Sequence, residues 1–224
     1  AENGVAFKSL ADAIWLRNHV IRSLELAETV NDRRLLDELL SFVFVGGGYA
    51  GLEALAELQD FAADALSMYP AARAHGMRWM LVEAGPRVLS EIDERLAGYA
   101  VRELVRRGID VRLTCTARRV DVVEGEKRLV VEHDGVTETI AFDEILCAVG
   151  RVANTAGYGL EALGIPITPS RTVEVNGFLE TRFPNILACG DVAGPYQFTH
   201  TASHMAWFAS ANALFGRFRK FRVD

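Results

Sequence analysis

The chain has 224 residues, of which 50% are hydrophobic and 24% charged, and its formal net charge is −6. The length allows one large or two small domains, and the composition is ordinary for a globular protein. The acidic balance argues against nucleic acid as the main partner, no apolar run is long enough for a transmembrane segment, and residues 1–4 do not resemble a signal peptide.

The first half of the chain alternates between helical and strand patterns. Apolar residues at helical spacing predict three helices, over residues 8–40, 49–69 and 92–107. Short apolar runs predict three strands of a buried parallel sheet, over residues 41–45, 78–82 and 109–113. Asn31-Asp32 divides the first helix, Pro70 ends the second before a loop over 70–76, and Gly108 lies where a C-terminal glycine is expected.

The pattern changes after the third strand. Three short alternating runs, over residues 119–123, 128–132 and 137–140, predict an antiparallel β-meander in the place of a crossover helix. An apolar strand over 144–149 then returns the chain to the parallel sheet. The sequence therefore predicts an α/β fold over 41–150, a Rossmann-like parallel sheet with a meander crossover. Beyond it we predict two strands, over 172–175 and 185–189, and one helix over 199–215.

The loop Gly46-Gly47-Gly48-Tyr49-Ala50-Gly51 lies between the first predicted strand and its helix, which is the setting that a dinucleotide-binding GxGxxG loop requires. Gly46 would permit the tight turn, Gly48 the approach of a pyrophosphate, and Gly51 the packing of helix against strand. The pyrophosphate would face N–H groups at the positive helix end, so Tyr49 and Ala50 belong to the predicted site. The alternative is a tight turn without a ligand.

Glu83 ends the next predicted strand. A carboxylate there can accept hydrogen bonds from both adenosine ribose hydroxyls and would repel a 2′-phosphate, which favours NAD(H) over NADP(H). Glu83 follows Gly51 by 32 residues, where about 20 is typical, and the excess fits the long helix and the loop over 70–76. A solvated strand end is the alternative. Glu53, early in the helix, would face a nicotinamide or merely complement the helix dipole.

The cysteines and histidines show no metal or redox pattern. Cys115, Cys147 and Cys189 form no CxxC pair, so we expect them to fill apolar strand positions in a reducing, cytoplasmic environment. His200 and His204 are four residues apart in the last predicted helix, but no third ligand is spaced to join them. We therefore predict no metal site.

Four motifs, in this order, resemble the pyridine nucleotide–disulfide oxidoreductases, which are flavoprotein reductases with two dinucleotide folds. They are GGGYAGLEALAEL, LVEAGPRVL, AVGRVANT and NILACGDVAG. In that family the NAD domain is inserted within the FAD domain, whose own GxGxxG unit is not found before Gly46. The resemblance thus implies an incomplete two-dinucleotide fold: a helical lead-in from the FAD domain over 1–40, an NAD(H)-binding domain over 41–150 and the returning part of the FAD domain over 151–224.

The resemblance also implies roles in the returning part. Asp191 matches the aspartate that binds the FAD ribityl chain, and Gly190 would let the cofactor pass close to the backbone; a surface turn is the alternative. The last helix would aim its N-terminus at the flavin pyrimidine ring. Gly150-Arg151 matches the crossing between domains, although Ala153 stands where many members have proline. The residues implied in cofactor binding here are Gly150, Arg151, Gly190, Asp191, Thr199, His200 and Ala202.

The two halves of the chain resemble different branches of the family. Residues 5–90 resemble type II NADH dehydrogenases, which would place the protein at the inner membrane surface, and the residues from 110 onward resemble mercuric reductase and dihydrolipoamide dehydrogenase. The segment over 199–206 lacks the glutamine of a quinone site, and no CxxxxC redox pair is present. The electron acceptor therefore stays open among quinone, disulfide, metal ion and other small molecules. A hybrid with a junction near 90–109 and a fragment of a longer reductase are both hypotheses.

The leading functional hypothesis is part of an NAD(P)H-dependent flavoprotein oxidoreductase that binds NADH and passes hydride to FAD. A small-molecule electron acceptor and, for the full-length family, a homodimer follow from the resemblance. One alternative is an NAD(H)-binding module without turnover, because the N-terminal FAD βαβ unit is absent. Another is a structural protein with an empty glycine loop. No side chain stands out as an acid, base or nucleophile, so we predict no catalytic residue.

Overall fold

The computed structural model describes residues 4–222 of the chain. The chain forms two compact units, of which the first ends at Gly150 and the second begins at Arg151. The first unit holds the two sheets, and the second holds mainly turns and one long helix.

The helices of the first unit follow the predicted alternation. They are α1 (Leu10–Ala27), α2 (Arg33–Leu39), α3 (Tyr49–Ala65), α4 (Pro70–His75) and α5 (Glu94–Arg106). Asp32 caps α2 by accepting the N–H of Arg34, which explains the predicted break between the first two helices. The predicted loop over 70–76 is wrong, because Pro70 starts a new helix at a position where its missing N–H costs nothing.

A five-stranded parallel sheet forms the centre of the first unit. Its strands lie in the order β1 (Val5–Ala6), β8 (Glu144–Cys147), β2 (Ser41–Val45), β3 (Arg78–Val82) and β4 (Asp110–Arg112). Every neighbouring pair is parallel, with Val45 beside Val82 on one side and beside Cys147 on the other. The sequence did not predict β1, since two residues are too short to show a pattern.

The predicted meander is confirmed as a separate antiparallel sheet with longer strands. It consists of β5 (Cys115–Val123), β6 (Glu126–His133) and β7 (Val136–Phe142), paired in that order. Both connecting turns have two residues at positive φ, Glu124-Gly125 and Asp134-Gly135, as tight hairpins require.

The parallel sheet is buried on both faces. One face of the sheet packs against the helices, among them the buried residues of α1, through Phe44, Leu81 and Leu146. The other face packs against the meander through Val43 and Ile145. This double burial explains why the parallel strands read as continuous apolar runs. The α/β prediction of a parallel sheet with a meander crossover is confirmed. The helical lead-in predicted over 1–40 contributes to this same core and lies in the first unit.

The second unit contains the helix α6 (Thr199–Phe215), with the bounds that the sequence predicted. The strands predicted over 172–175 and 185–189 are wrong. Only isolated bridges occur there, Ile167 with Val173 and Glu180 with Leu187, because tight turns take up the neighbouring backbone groups. Cys189 accordingly lies before a single 3₁₀ turn (Gly190–Val192) and fills no strand. None of the helices within residues 4–222 has the length and apolar character to cross a bilayer.

Candidate nucleotide-binding site

The glycine loop follows the carboxyl end of β2. In the sheet, β2 has β3 as its neighbour on one side and β8 on the other, so the strand order reverses at β2. Ligands of open α/β sheets bind at such a switch point. Gly46 has φ +107° and donates its N–H to the Val82 carbonyl at 2.9 Å. A Cβ on Gly46 would lie 2.4 Å from the Ala148 carbonyl oxygen. Both its conformation and its packing therefore require glycine.

Gly48 and Gly51 differ in what surrounds them. A Cβ on Gly51 would lie 2.1 Å from the Gly46 carbonyl oxygen, so the first turn of α3 packs directly on the turn that precedes it. A Cβ on Gly48 would meet nothing within 4 Å. Gly48 is the N-cap of α3 without a side-chain cap, and Leu52 donates to its carbonyl at 3.0 Å. The positive end of α3 thus opens onto free space beside Gly48.

Glu83 follows β3 directly and joins two loops. Its Oε2 accepts the N–H of Gly47 at 2.5 Å, and its Oε1 accepts the N–H of Gly85 at 2.6 Å. The carboxylate is half-buried, and each of its oxygens has a further lone pair for a hydroxyl donor. Sequence reasoning placed Glu83 at the site but missed these bonds, because its partners are backbone groups that any residue supplies.

The loop over 84–90 forms the second wall of the site. Leu89, at φ +47°, donates its N–H to the Gly47 carbonyl at 2.8 Å, and Thr114 donates to Gly85 at 2.8 Å. The two loops enclose a cleft of about 380 Å³. It is lined by Gly47, Gly48, Glu83, Gly85, Pro86, Arg87, Leu89 and Ser90. Sequence reasoning did not single out Arg87, although the LVEAGPRVL motif contains it.

The other predicted residues of this site lie outside the cleft lining. Tyr49, Ala50 and Glu53 are exposed on the first turns of α3. The structure therefore brings Gly48 and Glu83 together at the cleft, with these three residues following along the helix.

The predicted flavin residues lie mostly around one turn of the second unit. Gly190 has φ +75°, and a Cβ on it would lie 3.2 Å from the Cβ of Ala202 on α6. Asp191 is half-buried, and its carboxylate has no hydrogen bond or ion pair within residues 4–222. Thr199 and His200 are exposed on the first turn of α6, which has neither a side-chain cap nor an acidic residue there. Gly150 and Arg151, at the boundary of the units, are exposed.

The cysteines are free thiols. Burial raises the pKa of Cys115 and of Cys147 above the usual value, so both stay protonated near neutral pH. Cys115 is a buried residue of β5 and Cys147 a half-buried residue of β8, as expected for strand positions. Within the described residues, His, Cys, Asp and Glu form no group of three that would hold a metal ion.

Several known proteins are similar to this chain in sequence. A family model described as pyridine nucleotide-disulphide oxidoreductase matches residues 13–206. Dihydrolipoyl dehydrogenase of Geobacillus stearothermophilus is 29% identical over 82% of this chain and 38% of its own length, and that of Pseudomonas aeruginosa is 33% identical over 71% and 31%. Mercuric reductase of Lysinibacillus sphaericus is 28% identical over 79% of this chain and 30% of its own.

A solved structure is also similar, the Cu(II) complex of the HOCl-induced flavoprotein disulfide reductase RclA from Escherichia coli. It is 26% identical with a TM-score of 0.66, over 81% of this chain and 37% of that chain. The chain thus spans 30–38% of the length of these relatives. The Geobacillus match covers 82% of this chain. This one relative therefore aligns with both halves of the chain, although the motifs of the two halves resemble different branches of the family.

Proposed function

Because the chain belongs to the pyridine nucleotide-disulphide oxidoreductase family, we propose that it binds NADH as part of a flavoprotein oxidoreductase that passes hydride from NADH to FAD. The observation that carries this proposal is the open space at Gly48, at the positive end of α3 and beside the cleft that contains Glu83.

The residues present fit a dinucleotide. The cleft of about 380 Å³ lies within the size range of small-molecule sites, and the N-terminus of α3, which has no side-chain cap, presents N–H groups for a pyrophosphate. Glu83 is held at the cleft wall with lone pairs left for ribose hydroxyls. The residues proposed to hold NAD(H) are Gly46, Gly48, Tyr49, Ala50, Gly51, Glu53 and Glu83.

The proposal favours NADH over NADPH. The negative charge of Glu83 lies where the adenosine ribose would bind, and a 2′-phosphate there would meet like-charge repulsion. We expect this charge to be the main source of the preference.

The second unit fits a part of a flavin site. Gly190 allows α6 to pack closely through Ala202, and the half-buried carboxylate of Asp191 has no hydrogen-bond or ion-pair partner within residues 4–222. Thr199 and His200 lie on the first turn of α6, which contains no acidic residue. When the cofactors are bound, NADH supplies a hydride and FAD accepts it. The work of the chain is to bind and orient them. We propose 41–150 as the NAD(H) domain. The family arrangement assigns 151–224, including Gly150-Arg151 at the crossing, to the FAD domain, and also 1–40, although the helices of 1–40 pack into the core of the first unit.

The partners proposed for the whole protein are a small-molecule electron acceptor and a second copy in a homodimer, and the proposed location is the cytoplasm. The acceptor and the homodimer rest on the family alone, since the chain spans about a third of its relatives. The location rests on the sparse cysteines, which form no CxxC pair.

The test compares the purified chain with the variant Gly48→Val. Gly48 has φ −77° and space around it, so valine should leave the fold intact while it occupies the volume proposed for the pyrophosphate. NADH at about 100 times its Kd should stabilise the wild type by about 2.7 kcal/mol and the variant far less. Equal stabilisation of both proteins would contradict the proposed site.

A second measurement separates the oxidoreductase from the binding module. Flavin absorption in the purified protein, and its loss when NADH is added without oxygen, would support hydride transfer to FAD. A colourless protein that NADH stabilises, but that does not reduce added FAD, would favour the NAD(H)-binding module. No stabilisation by NADH, NADPH or FAD would leave the structural alternative.

A further inference from the structure

Helix α5 exposes a row of arginines along one side. Arg95, Arg102 and Arg106 are all exposed, and successive members are separated by seven and then four residues, which places them on one face of the helix. Arg95 and Arg102 form no ion pair within residues 4–222, and Arg106 pairs with Glu103 of the same helix. Tyr99 lies on the same face and is 61% exposed. We call Arg95, Tyr99, Arg102 and Arg106 the basic stripe.

Helix α3 exposes a row of carboxylates in the same way. Glu57, Asp60 and Asp64 are exposed and separated by three and then four residues. The helix contains no lysine, arginine or histidine, and of these three carboxylates Asp60 alone has an ion-pair partner among residues 4–222, Arg107. Like charges at this spacing repel, and a negative charge at the C-terminal end of a helix is unfavourable. We call Glu57, Asp60 and Asp64 the acidic stripe; Glu53 belongs to the proposed nucleotide site and is left out.

The two stripes lie next to each other on one surface of the first unit. Arg107, the C-cap of α5, donates to the Ala56 carbonyl of α3 at 2.8 Å, so the two helices are neighbours. Their buried residues, such as Leu55 of α3 and Leu104 of α5, belong to the core on the face of the parallel sheet that the meander does not cover. The exposed sides of both helices therefore point away from the same face of the sheet.

We propose that this surface is an interface between two copies of the chain, in which the basic stripe of each copy contacts the acidic stripe of the other. Because one chain carries both stripes, a two-fold rotation forms the same contact twice. Tyr99 supplies apolar area between the charged groups, as aromatic residues commonly do in interfaces. The proposal goes beyond the proposed function and does not depend on the nucleotide site.

Charge complementarity selects a second copy over a phosphate-rich partner. A nucleic acid or an anionic membrane on the basic stripe would meet the acidic stripe beside it, and the whole chain carries a net charge of −6. A second copy instead offers an acidic surface to the basic stripe and a basic surface to the acidic stripe. Such a contact between exposed charges should depend strongly on salt.

The test is sedimentation equilibrium of the full chain in about 50 mM and about 500 mM NaCl. The protein concentration reaches about 100 μM, at which a contact with a micromolar Kd is populated. Two variants each reverse one stripe. Arg95→Glu with Arg102→Glu makes both stripes mainly acidic, whereas Glu57→Lys with Asp64→Lys makes both mainly basic. All four positions are exposed, and circular dichroism checks that each variant is folded.

The wild type should dimerise at low salt, with a Kd that rises about tenfold or more at high salt. Each reversed variant alone should dimerise at least about tenfold more weakly, because like charges then face each other. An equimolar mixture of the two variants should recover the wild-type affinity as a heterodimer, since both contacts again join opposite charges. This recovery does not depend on which individual residues pair across the interface.

The control is Arg118→Glu with Arg119→Glu, which changes the net charge as much as the arginine reversal on α5. Both residues are exposed on β5 of the meander, which packs against the other face of the sheet, so the Kd should stay within about threefold. A wild type that stays monomeric in about 50 mM NaCl would overturn the proposal, and the stripes would then be solvated or serve another partner. Dimers of unchanged affinity in both reversed variants, or a mixture of the folded variants without a heterodimer, would overturn it as well.

Discussion

The two units of the chain hold their candidate site residues by different means. In the first unit, Gly46 and Glu83 stand at the ends of parallel strands whose two faces are buried. Hydrogen bonds tie Gly46 to the end of the neighbouring strand β3 and tie Glu83 to two loops. In the second unit, Gly190 and Asp191 lie in a single 3₁₀ turn against α6, with isolated bridges in place of a sheet. The first site is built on a rigid scaffold, whereas the second depends on one helix and its adjoining turns.

The helix of the second unit makes the contrast clearer. Phe215 is 74% exposed and Trp207 52% exposed, and α6 buries only Met205, Ala209 and Asn212. We therefore expect the stability that does not depend on ligands to reside in the first unit.

The largest effect is expected from Gly51→Ala. The new Cβ would lie 2.1 Å from the Gly46 carbonyl oxygen, so the free energy of unfolding should fall by about 3 kcal/mol. Hydrogen exchange should rise in peptides of 41–58 and not in those of 199–215. The control is Gly98→Ala within α5, where only the end of Arg102 is near and where alanine should be neutral or stabilising by up to about 1 kcal/mol. Equal loss of protection in both units would contradict the separate stability of the first unit.

Glu83→Ala should have the next largest effect. It leaves the N–H groups of Gly47 and Gly85 without their acceptor, which should cost about 2 kcal/mol of stability in urea unfolding. The affinity for NADH should also fall by about tenfold or more. Glu91→Ala, at an exposed position of the same region, serves as the control and should change neither. A stable Glu83→Ala protein would show that the carboxylate does not organise the loops.

A smaller effect is expected from acid on the second unit. Hydrogen bonds from Asn176 and Arg217 lower the pKa of Glu180 below its usual value of 4.5. Because the folded pKa is the lower one, the stabilisation is present above pH 4.5 and is lost as the pH falls through the folded value. Protection of α6 amides should therefore decline in acid, and Glu180→Gln should flatten this decline. Glu174→Gln, at an exposed neighbour, should keep the wild-type profile; identical profiles for all three proteins would contradict the prediction.

The smallest effect on stability is expected from Asp191→Asn. The carboxylate has no hydrogen-bond partner within the described residues, so unfolding free energy should change by less than about 0.5 kcal/mol. If Asp191 binds the flavin, the affinity for FAD should nevertheless fall. A marked loss of stability would show that Asp191 already serves the fold, as Glu83 does, and would remove the contrast between the two acidic residues.

The sequence predicted most of the first unit because its signals are local. The apolar runs of β2 and β3, the glycine that ends α5 and the turns of the meander each depend on a few adjacent residues. The sequence predicts a loop after Pro70, but a proline that ends one helix can also begin the next, and α4 starts at Pro70. In the second unit, the apolar runs near Val173 and Leu187 resemble strands, but within residues 4–222 they form only isolated bridges because tight turns take up the neighbouring backbone groups.

The site was predictable in part for the same reason. The motif gave Gly48 and Glu83, since their residue types are specific to the chemistry. It could not give the bonds from Gly47 to Glu83 or from Leu89 to Gly47, because backbone atoms carry no sequence signal and the loops meet only in three dimensions. Arg87 could be placed in the lining of the cleft only from the structure.

The strand β1 has a consequence for self-association. Val5–Ala6 pairs with Leu146 and Cys147 at the outer side of β8, and the opposite edge of the sheet is the three-residue β4. Short edge strands expose few unpaired N–H and C=O groups for recruitment of another chain. Without β1, the sheet would end at β8, whose Ile145 and Leu146 are buried apolar residues. The pairing of Val5–Ala6 therefore covers the outer edge of β8, which would otherwise be open to intermolecular pairing.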